Sequence, residues 1–246
     1  MEAGLYLVGT PIGNLEDMTF RGVRTLQEVD VILAEDTRKT GILLNKYEIS
    51  KPMVSCHEFN ERSRVERVIS EIESGKAVAL VSDAGMPLIS DPGSRLVQSV
   101  REAGLFITSI PGPTAVTTGL ALSGWGQEGF IFLGFTPNKS AGRRRILEGL
   151  VDESLSVVLY ESTHRIQKLM ADIADILGDR QVFIGRELTK KFETLKSGTA
   201  AELSEFLDLH SSKGEFVVVI SPIDKAELKE RKAEDRKNSK QAWKNA

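Results

Sequence analysis

Charged side chains cluster where a predicted strand ends, near residue 34. The segment Ala-Glu-Asp-Thr-Arg-Lys at residues 34–39 holds two carboxylates, a hydroxyl and two cations. A carboxylate can accept a proton from a reacting hydroxyl, and nearby cations can stabilise the negative charge that develops. Asp36 could instead simply cap a helix. The residue types leave both interpretations of Asp36 open, whereas Arg38 is harder to explain as part of a helix start.

A loop of glycine and proline follows the first predicted strand, with the sequence Gly-Thr-Pro-Ile-Gly-Asn at residues 9–14. Glycine allows the backbone to approach a ligand closely, and proline stiffens the loop. The loop has neither the Lys-Ser/Thr pair of a phosphate loop nor the G-x-G-x-x-G spacing of a dinucleotide site. Taken alone, it fits a ligand-binding loop and a plain turn equally well.

A second loop of small residues, Ser-Asp-Ala-Gly-Met-Pro at residues 82–87, continues to Asp-Pro-Gly at residues 91–93. An adenosine moiety needs acceptors for its hydroxyls and amine, and it needs space free of bulky side chains. This loop offers both, although a rigid connecting loop is the alternative. In open α/β sheets, ligands bind outside the carboxyl ends of the strands, which is where both loops are predicted.

Two segments of the second half also follow predicted strands and mix acids with bases. They are Tyr-Glu-Ser-Thr-His-Arg at residues 160–165 and Arg-Glu-Leu-Thr-Lys-Lys at residues 186–191. We expect them to form the opposite wall of the same cleft. Ion pairs between arginine and glutamate within each segment are the simpler explanation.

Two further segments could contact nucleic acid. Residues 55–61, Ser-Cys-His-Glu-Phe-Asn-Glu, combine an imidazole and an aromatic ring with amide and acid groups, which suits an unpaired base. Residues 139–145, Lys-Ser-Ala-Gly-Arg-Arg-Arg, could contact phosphates or could begin a helix with solvated arginines. His57 and His164 lack ligand spacing, and Cys56 and His57 should point in opposite directions, so we predict neither a metal site nor a Cys–His dyad.

Hydrophobic periodicity predicts a two-part α/β framework for these segments. In the first half, strands near residues 5–8, 31–34, 52–55, 78–81 and 106–110 alternate with helices, which predicts a mainly parallel sheet covered on both faces. Pro-Gly-Pro at residues 111–113 marks the domain boundary, and Thr114 can cap the next helix. The second half predicts a mixed sheet, with strands near residues 130–134, 156–160, 182–186, 192–197 and 216–220 around three helices. We expect two α/β domains, 1–112 and 113–222, with a cleft between them, and a charged tail at 223–246.

Composition narrows the functional classes. One cysteine excludes a disulfide framework, and the absence of a long apolar run or an apparent signal peptide predicts a cytoplasmic protein. The chain has a net charge of −3, but residues 223–246 hold eight Lys or Arg against five Asp or Glu. The rest is therefore acidic, unlike many nucleic-acid-binding domains, so any RNA contact must be a local patch. The composition of the tail predicts a solvated helix or disorder. Its function could be to increase solubility or to bind RNA.

Eight segments carry a resemblance to a known family, in that family's order, between residues 4 and 221. They are residues 7–15, 34–38, 81–85, 89–93, 111–113, 160–162, 186–190 and 213–216. They closely resemble the ribosomal RNA small subunit methyltransferase I family, which belongs to the tetrapyrrole methylase superfamily. The resemblance implies transfer of a methyl group from S-adenosylmethionine to the 2′-hydroxyl of a cytidine in the decoding region of 16S rRNA. It also implies a homodimer and a donor held between the two domains.

Five residues depart from the usual family pattern. The family often has histidine at Lys39, threonine at Met86, proline at Thr163, tyrosine at Cys56 and histidine at Phe59. None of these changes removes a carboxylate. Met86 borders the expected donor site, so its side-chain contact is in question but its backbone contacts are not.

The resemblance and the loop positions together give expected roles. Asp36 and Asp83 are candidate bases, and Arg38, Lys39 and Lys190 could stabilise charge or hold phosphates. No metal is expected. The expected donor contacts are Thr10, Pro11, Asp83, Ala84, Gly85, Met86, Ile89, Thr114, Ala115, Glu161, Glu187 and Leu188.

Two alternatives stay open at this point. A methyltransferase acting on a tetrapyrrole would have the same fold, but the first loop differs from the Gly-x-Gly-x-Gly-Asp type common there. An RNA- or nucleotide-binding module without catalysis is the other, and the acidic composition argues against it. The same acidic balance favours the assembled small ribosomal subunit over free RNA as substrate.

Overall fold

The computed structural model describes residues 1–210, 212–230 and 233 of the chain. It divides into two compact units, unit 1 (Met1–Ala115) and unit 2, which begins at Val116. This division falls shortly after the Pro-Gly-Pro segment. The domain limits predicted from the sequence stay a proposal.

Unit 1 alternates strands and helices, as the sequence predicts. Its elements are β1 (Gly4–Val8), α1 (Phe20–Glu28), β2 (Val31–Ala34), α2 (Thr37–Lys46), β3 (Met53–Ser55), α3 (Glu61–Glu73), β4 (Ala77–Val81), α4 (Ser94–Glu102) and β5 (Ile107–Ile110), with a short 3-10 helix at Leu15–Asp17. All the strands are parallel, in the order β3-β2-β4-β1-β5. Every residue of β2 and β4 is buried, which explains why these strands are continuous apolar runs. The predicted parallel sheet is confirmed.

The helices of unit 1 cover both faces of this sheet. Leu26 of α1 and Leu44 of α2 pack in one apolar cluster with Ile32 of β2. Val68 of α3 and Leu96 of α4 pack in a second cluster that contains Leu33 and Leu80. Neighbouring residues of one strand therefore enter opposite clusters, as strand geometry requires.

The strand order creates a switch point between β1 and β4. The chain leaves β1 toward β2 on one side, and it leaves the adjacent β4 toward β5 on the other. Crossovers that leave adjacent strands in opposite directions place their helices on opposite faces and open a crevice at the carboxyl ends of the two strands. Such crevices are where open α/β sheets bind ligands.

Unit 2 has a mixed sheet, which confirms the second prediction about fold class. Its elements are β6 (Phe130–Phe135), α6 (Ser140–Glu148), β7 (Ser156–Ser162), α7 (Ile166–Leu177), β8 (Gln181–Arg186), β9 (Thr194–Thr199), α8 (Ala200–Leu209) and β10 (Glu215–Ile220), and α5 (Ala115–Ser123) begins at the unit boundary. The strand order is β6-β7-β10-β8-β9. The β6–β7 pair is parallel, and the other three pairs are antiparallel. A core cluster joins α6, α7 and α8 to the strands, with Leu147, Leu169, Leu203 and Val218 fully buried.

One predicted strand begins later than expected. The apolar pattern predicted a strand from residue 192, but β9 starts at Thr194. Residues 187–193 form a turn in which Glu187 and Thr189 have positive φ angles, and Lys190 N donates to Glu187 O. Phe192 belongs to this turn, so the strand pairing of β9 starts only after it. Hydrophobic periodicity alone does not reveal where such a turn ends.

The predicted charged tail lies mostly outside the described residues. At its start, Ile223 is buried and its amide donates to Glu153 O, while Lys225 pairs with Glu128. Within the described part of the chain, no helix has the length and apolar character needed to span a bilayer.

Candidate functional site

The loops after β1 and β4 are tied together at the switch point. Thr10 N donates to Gly85 O at 2.9 Å, and Gly85 N donates to Thr10 O at 3.1 Å. The Thr10 hydroxyl, which is buried, also donates to Ser82 O at 3.2 Å. Gly85 has a φ angle of +89°, a conformation that favours glycine. The two loops predicted to bind the donor therefore lie side by side.

The loop after β1 also packs against the Pro-Gly-Pro segment, backbone against backbone. A Cβ on Gly9 would lie 2.7 Å from Gly112 Cα, and a Cβ on Gly112 would lie 2.8 Å from Gly9 Cα. The Met86 sulfur lies 2.6 Å from that same Gly9 Cβ position. A side chain at position 9 or 112 would thus collide with the opposite backbone, and at position 9 also with Met86, which explains why glycine stands at both positions.

Asp83 connects the loop after β4 to the loop after β2. Its Oδ1 accepts a hydrogen bond from Asp36 N at 3.0 Å, and its Oδ2 accepts one from Lys39 Nζ at 2.8 Å. Both carboxylate oxygens are therefore engaged by donors. The two candidate bases named from the sequence, Asp36 and Asp83, therefore lie in direct contact.

Asp36 caps α2 and pairs with Arg38. Its Oδ1 accepts from Arg38 N at 2.9 Å and from Arg38 Nε at 3.0 Å, and its Oδ2 accepts from Arg38 Nη2 at 2.7 Å. The hydrogen bonds from the Arg38 side chain and amide hold the pKa of Asp36 well below its usual range. The capping role left open by the sequence is observed, and the carboxylate also fixes the guanidinium.

Two carboxyl groups that the sequence analysis did not name as individual site residues, Glu35 and Asp91, belong to the same cluster. Asp83 N donates to Glu35 Oε2 at 3.4 Å, and burial and the charge of Asp83 raise the pKa of Glu35. Burial, followed by the charge of Glu35, raises the pKa of Asp91 to about 6. Their position in the loops that follow β2 and β4 was the sequence signal for these two acids. Only the fold shows that Asp91 lies near Glu35.

The other predicted unit 1 residues lie in these same loops. Pro11 is buried beside Thr10, whereas Ala84 and Ile89 are exposed and Met86, Thr114 and Ala115 are half-buried. Leu88 and Ser90 have positive φ angles of 71° and 68°, which are unusual for residues with side chains. The segment around Ile89 therefore has a constrained backbone and presents an apolar side chain to solvent.

In unit 2, Glu161 is enclosed by hydrogen-bond donors. Its side chain has 0% exposure, and its oxygens accept from Thr136 Oγ1 at 2.9 Å, Arg165 Nη2 at 3.0 Å and Ser162 N at 2.8 Å. Arg165 also contacts Asn138 and the Thr136 carbonyl. The ion pair proposed as the simpler explanation for residues 160–165 is present. A buried carboxylate so fully engaged fixes the end of β7.

Glu187 and Lys190 lie at the corresponding end of β8. Lys190 Nζ contacts Glu187 Oε1 at 2.9 Å and Glu215 Oε2 at 2.8 Å, and Glu215 N donates to Glu187 Oε1 at 2.9 Å. Leu188, which lies between Glu187 and Lys190 in the sequence, is buried. Because β7 and β8 both run antiparallel to β10, their carboxyl ends, with Glu161 and Glu187, lie at the same end of the unit 2 sheet.

Two arginines of the basic cluster at residues 139–145 pair with acids inside unit 2. Arg143 is buried and pairs with Asp172 on α7 at 2.5 Å, and Arg144 pairs with Asp172 at 3.1 Å and Asp175 at 2.5 Å. These contacts join α6 to α7. Neither interpretation drawn from the sequence, phosphate contact or solvated arginines, foresaw this pairing for Arg143.

Cys56 and His57 do not form a reactive pair. Cys56 is buried, and burial raises the pKa of its thiol to about 11, so it stays protonated. His57 contacts Asn60 instead, with Asn60 Nδ2 3.1 Å from His57 Nε2. Among the described residues, no group of three or more metal-ligating side chains is placed to hold a metal ion.

Comparison with known proteins identifies the relatives of the chain. Residues 4–204 match the family model described as Tetrapyrrole (Corrin/Porphyrin) Methylases. The chain is similar to ribosomal RNA small subunit methyltransferase I of Thermotoga maritima, with 46% identity over 88% of this chain and 97% of that protein. It is also similar to the Bacillus subtilis protein of the same name, with 43% identity over 92% of this chain and 77% of that one.

Solved structures share the fold at lower identity. A cobalt precorrin-4 methyltransferase superposes with a TM-score of 0.65 at 18% identity, covering 88% of this chain and 94% of that chain. A uroporphyrin-III-C-methyltransferase from Thermus thermophilus gives a TM-score of 0.64 at 18% identity, covering 89% and 94%. These two comparisons concern the fold alone.

Proposed function

The chain belongs to the tetrapyrrole methylase family, within it to the ribosomal RNA small subunit methyltransferase I group, and we propose that it methylates a cytidine ribose of 16S rRNA. It is a methyltransferase. The proposed reaction transfers the methyl group of S-adenosylmethionine to the 2′-hydroxyl of a cytidine in the decoding region. The similarity to ribosomal RNA methyltransferases over most of the chain supports RNA as the acceptor. The two tetrapyrrole-modifying enzymes compared above support only the fold, because their identity to this chain is 18%.

We assign the donor to the switch-point crevice of unit 1. The loops around Thr10 and Gly85 meet there backbone to backbone, with Ala84 exposed beside the junction, and a side chain at position 9 or 112 would not fit. A nucleoside needs this kind of surface, with close backbone approach and nearby acceptors. Pro11, Ala84, Met86, Ile89, Thr114 and Ala115 are the further unit 1 residues proposed to contact the donor. Glu161, Glu187 and Leu188 of unit 2 remain proposed contacts from the sequence.

The reaction needs alignment and removal of one proton. The ribose oxygen attacks the methyl carbon as the carbon–sulfur bond breaks, S-adenosylhomocysteine leaves, and the hydroxyl proton passes to a base. Alignment can contribute up to roughly 7–11 kcal/mol of the barrier, and a positioned base about 10²–10⁴-fold in rate. The Asp36–Asp83–Lys39 network supplies the candidate groups.

Among these groups, Asp83 is the better candidate base. Both carboxylates accept hydrogen bonds on both oxygens, but Asp36 accepts three from Arg38, which lower its pKa and make it a weak proton acceptor. Asp83 accepts only one of the described hydrogen bonds on each oxygen, from Asp36 N and Lys39 Nζ. We therefore propose that Asp36 positions Arg38, and that Arg38 and Lys39 hold phosphate or stabilise charge. Lys190 keeps its proposed charge-stabilising role, with Glu187 and Glu215 as its observed partners.

The remaining expectations belong to the same proposal. We propose that the protein acts in the cytoplasm as a homodimer, that it needs no metal, and that it takes the assembled small ribosomal subunit as substrate. The acidic excess outside residues 223–246 supports a structured particle, whose shape adds contacts that free RNA lacks.

One assay separates the candidate acceptors. The protein is incubated with S-adenosylmethionine labelled in the methyl group and with small subunits, naked 16S rRNA or a tetrapyrrole. We expect label in small subunits, resistant to alkaline cleavage at one cytidine as 2′-O-methylation requires. Label on the tetrapyrrole, on a base, or nowhere would contradict the proposed function.

A further inference from the structure

Phe59 exposes almost its whole ring at the carboxyl end of β3. Its exposed fraction is 93%, although phenylalanine is a residue that folding usually buries. Phe20, at 97%, is similarly exposed, so exposure alone assigns no role. The structure around Phe59 and its position relative to the proposed active site distinguish it from Phe20.

The turn that carries Phe59 is held by a set of hydrogen bonds. Asn60 Oδ1 accepts from His57 N at 2.8 Å, and its Nδ2 lies 3.1 Å from His57 Nε2. Asn60 N and Glu61 N both donate to His57 O at 2.9 Å. The His57 ring thus has a fixed position, and it meets the Phe59 ring edge to face with centroids 6.1 Å apart.

The base of this turn is anchored to the rest of unit 1. Arg64 Nε donates to Ser55 O at 3.1 Å. Glu61, a buried acid at the start of α3, accepts from Leu96 N of α4 at 3.0 Å. The Phe59 ring is therefore carried by a turn that hydrogen bonds hold in place. The position of the ring does not depend on burying the ring itself.

The turn lies next to the loop that carries Asp36. In the sheet, Ser55 pairs with Ala34, and Cys56 N donates to Ala34 O at 2.8 Å. Adjacent strands lie about 4.8 Å apart, so the chain leaves β3 one strand spacing from the point where it leaves β2. Phe59 follows β3 at the edge where Asp36, Lys39 and Asp83 form the proposed active site.

The charges around the ring favour stacking over phosphate binding. Residues 55–64 contain two acids, Glu58 and Glu61, and two arginines, Arg62 and Arg64, besides His57. Such a balanced set attracts a phosphate backbone only weakly. An exposed aromatic ring, in contrast, binds the face of an unpaired base of any sequence, because every base has a π face.

We propose that Phe59, supported by His57, stacks on an unpaired nucleobase of the RNA substrate next to the methylated nucleotide. This inference rests on the proposed function and names the group that recognises the RNA. Arg38 and Lys39 lie on the neighbouring loop, where they contact the adjacent sugar-phosphate. The acidic body then binds RNA by local stacking, with few phosphate contacts.

The test compares Phe59→Ala, Phe59→Tyr and the control Phe20→Ala in the full-length protein. For Phe59→Ala we expect the KM for small subunits to rise by about 5- to 150-fold, the range that one aromatic–base stack contributes. The affinity for S-adenosylmethionine, measured by calorimetry without RNA, stays unchanged. Phe59→Tyr keeps the wild-type KM because it keeps the ring. Phe20→Ala keeps it because Phe20 begins α1 after β1, which β4 separates from β2 and β3.

A binding measurement makes the inference independent of catalysis. A single-stranded RNA with 2-aminopurine at one position is titrated with each protein, because stacking quenches its fluorescence. We expect quenching by the wild type and Phe59→Tyr and little quenching by Phe59→Ala. The affinity ratio between wild type and Phe59→Ala stays constant from low to high salt, since stacking releases no counterions.

Several outcomes would overturn the inference. They are an unchanged KM and unchanged quenching in Phe59→Ala, an equal loss in Phe20→Ala, or conversion of a wild-type dimer to monomer by Phe59→Ala in sedimentation. The proposed function fails separately, when the wild type transfers no label to RNA. If Phe59 still quenched the fluorescence in that case, the proposed stacking on RNA would stand and only the proposed methyl transfer would be rejected.

Discussion

The amide of Asp36 donates a hydrogen bond to Oδ1 of Asp83 at 3.0 Å, although the two residues are 47 positions apart in the sequence. This bond joins the loops that follow two adjacent strands, β2 and β4. Lys39 completes the link through Oδ2. Asp83 thereby has a fixed orientation at the edge of the sheet, and its substitution should affect the reaction more than the fold.

We expect Asp83→Asn to lower the rate of methyl transfer by about 10²–10⁴-fold at saturating donor, because the amide can neither accept a proton nor pair with Lys39. The measurement is the initial rate of label transfer to small subunits. Asp30→Asn is a matched control, since Asp30 also accepts a backbone hydrogen bond, from Ala77 N at 2.8 Å, but at the amino end of β4. A normal rate in Asp83→Asn would rule out a role for this carboxylate in proton removal.

The junction of Gly9 and Gly112 should tolerate no side chain. We expect Gly9→Ala to destabilise the protein by about 1–3 kcal/mol and to weaken donor binding, since the new Cβ would lie 2.7 Å from Gly112 Cα. Gly41→Ala is the control within α2, because its Cβ would meet no atom closer than 3.9 Å. Urea unfolding and calorimetric titration with S-adenosylmethionine measure the two effects. Equal behaviour of the two variants would show that the close approach has no energetic consequence.

Removing Arg165 should leave an uncompensated buried charge. We expect Arg165→Met to cost about 3–5 kcal/mol of unfolding free energy, because Glu161 has 0% side-chain exposure. The double variant Glu161→Gln with Arg165→Met should recover part of this loss. Lys225→Met breaks the exposed pair with Glu128 and should change stability by about 1 kcal/mol or less. If the double variant were less stable than Arg165→Met, the buried charge would not be the source of the cost.

Asp91 should make stability depend on pH in the acid range. Its pKa is raised to about 6, by burial first and by Glu35 next, so the folded protein favours the protonated form. The native state therefore binds the proton more tightly than the unfolded chain, whose Asp titrates near 3.9. As pH rises from about 4 to about 6, wild-type stability should fall relative to Asp91→Asn and then level off. Thermal unfolding of both proteins across this range checks the sign, and a constant difference would contradict it.

Local sequence patterns predicted most of the framework. The strands β2 and β4 were recognisable because their side chains are buried on both faces, and Asp36 was recognisable as a cap from its position before α2. Glycine and proline located the loops around Gly9 and Gly112. These features depend on residues that are close together in the chain, so their position can be read from the local sequence.

The partners of charged side chains were not predictable in this way. Arg143 looked available for a phosphate, but Asp172 lies against it because α6 and α7 pack together. Asp91 was predicted only as part of the loop that offers acceptors to the donor, although its burial and the nearby Glu35 raise its pKa. Such contacts join residues from different elements, and neither spacing nor residue type reveals them before the packing is known.

The position of β10 in the unit 2 sheet has a consequence for biosynthesis. This strand, Glu215–Ile220, is the last of the ten strands in the described part of the chain to leave the ribosome, yet it lies between β7 and β8. Until it emerges, the β6–β7 pair and the β8–β9 pair have no strand to join them, and their apolar edges stay open. Unit 1 needs nothing beyond residue 115 for its own sheet. A growing chain would therefore carry one finished half and one half at risk of aggregation, and a premature stop a few codons before residue 215 would leave the second half unable to close.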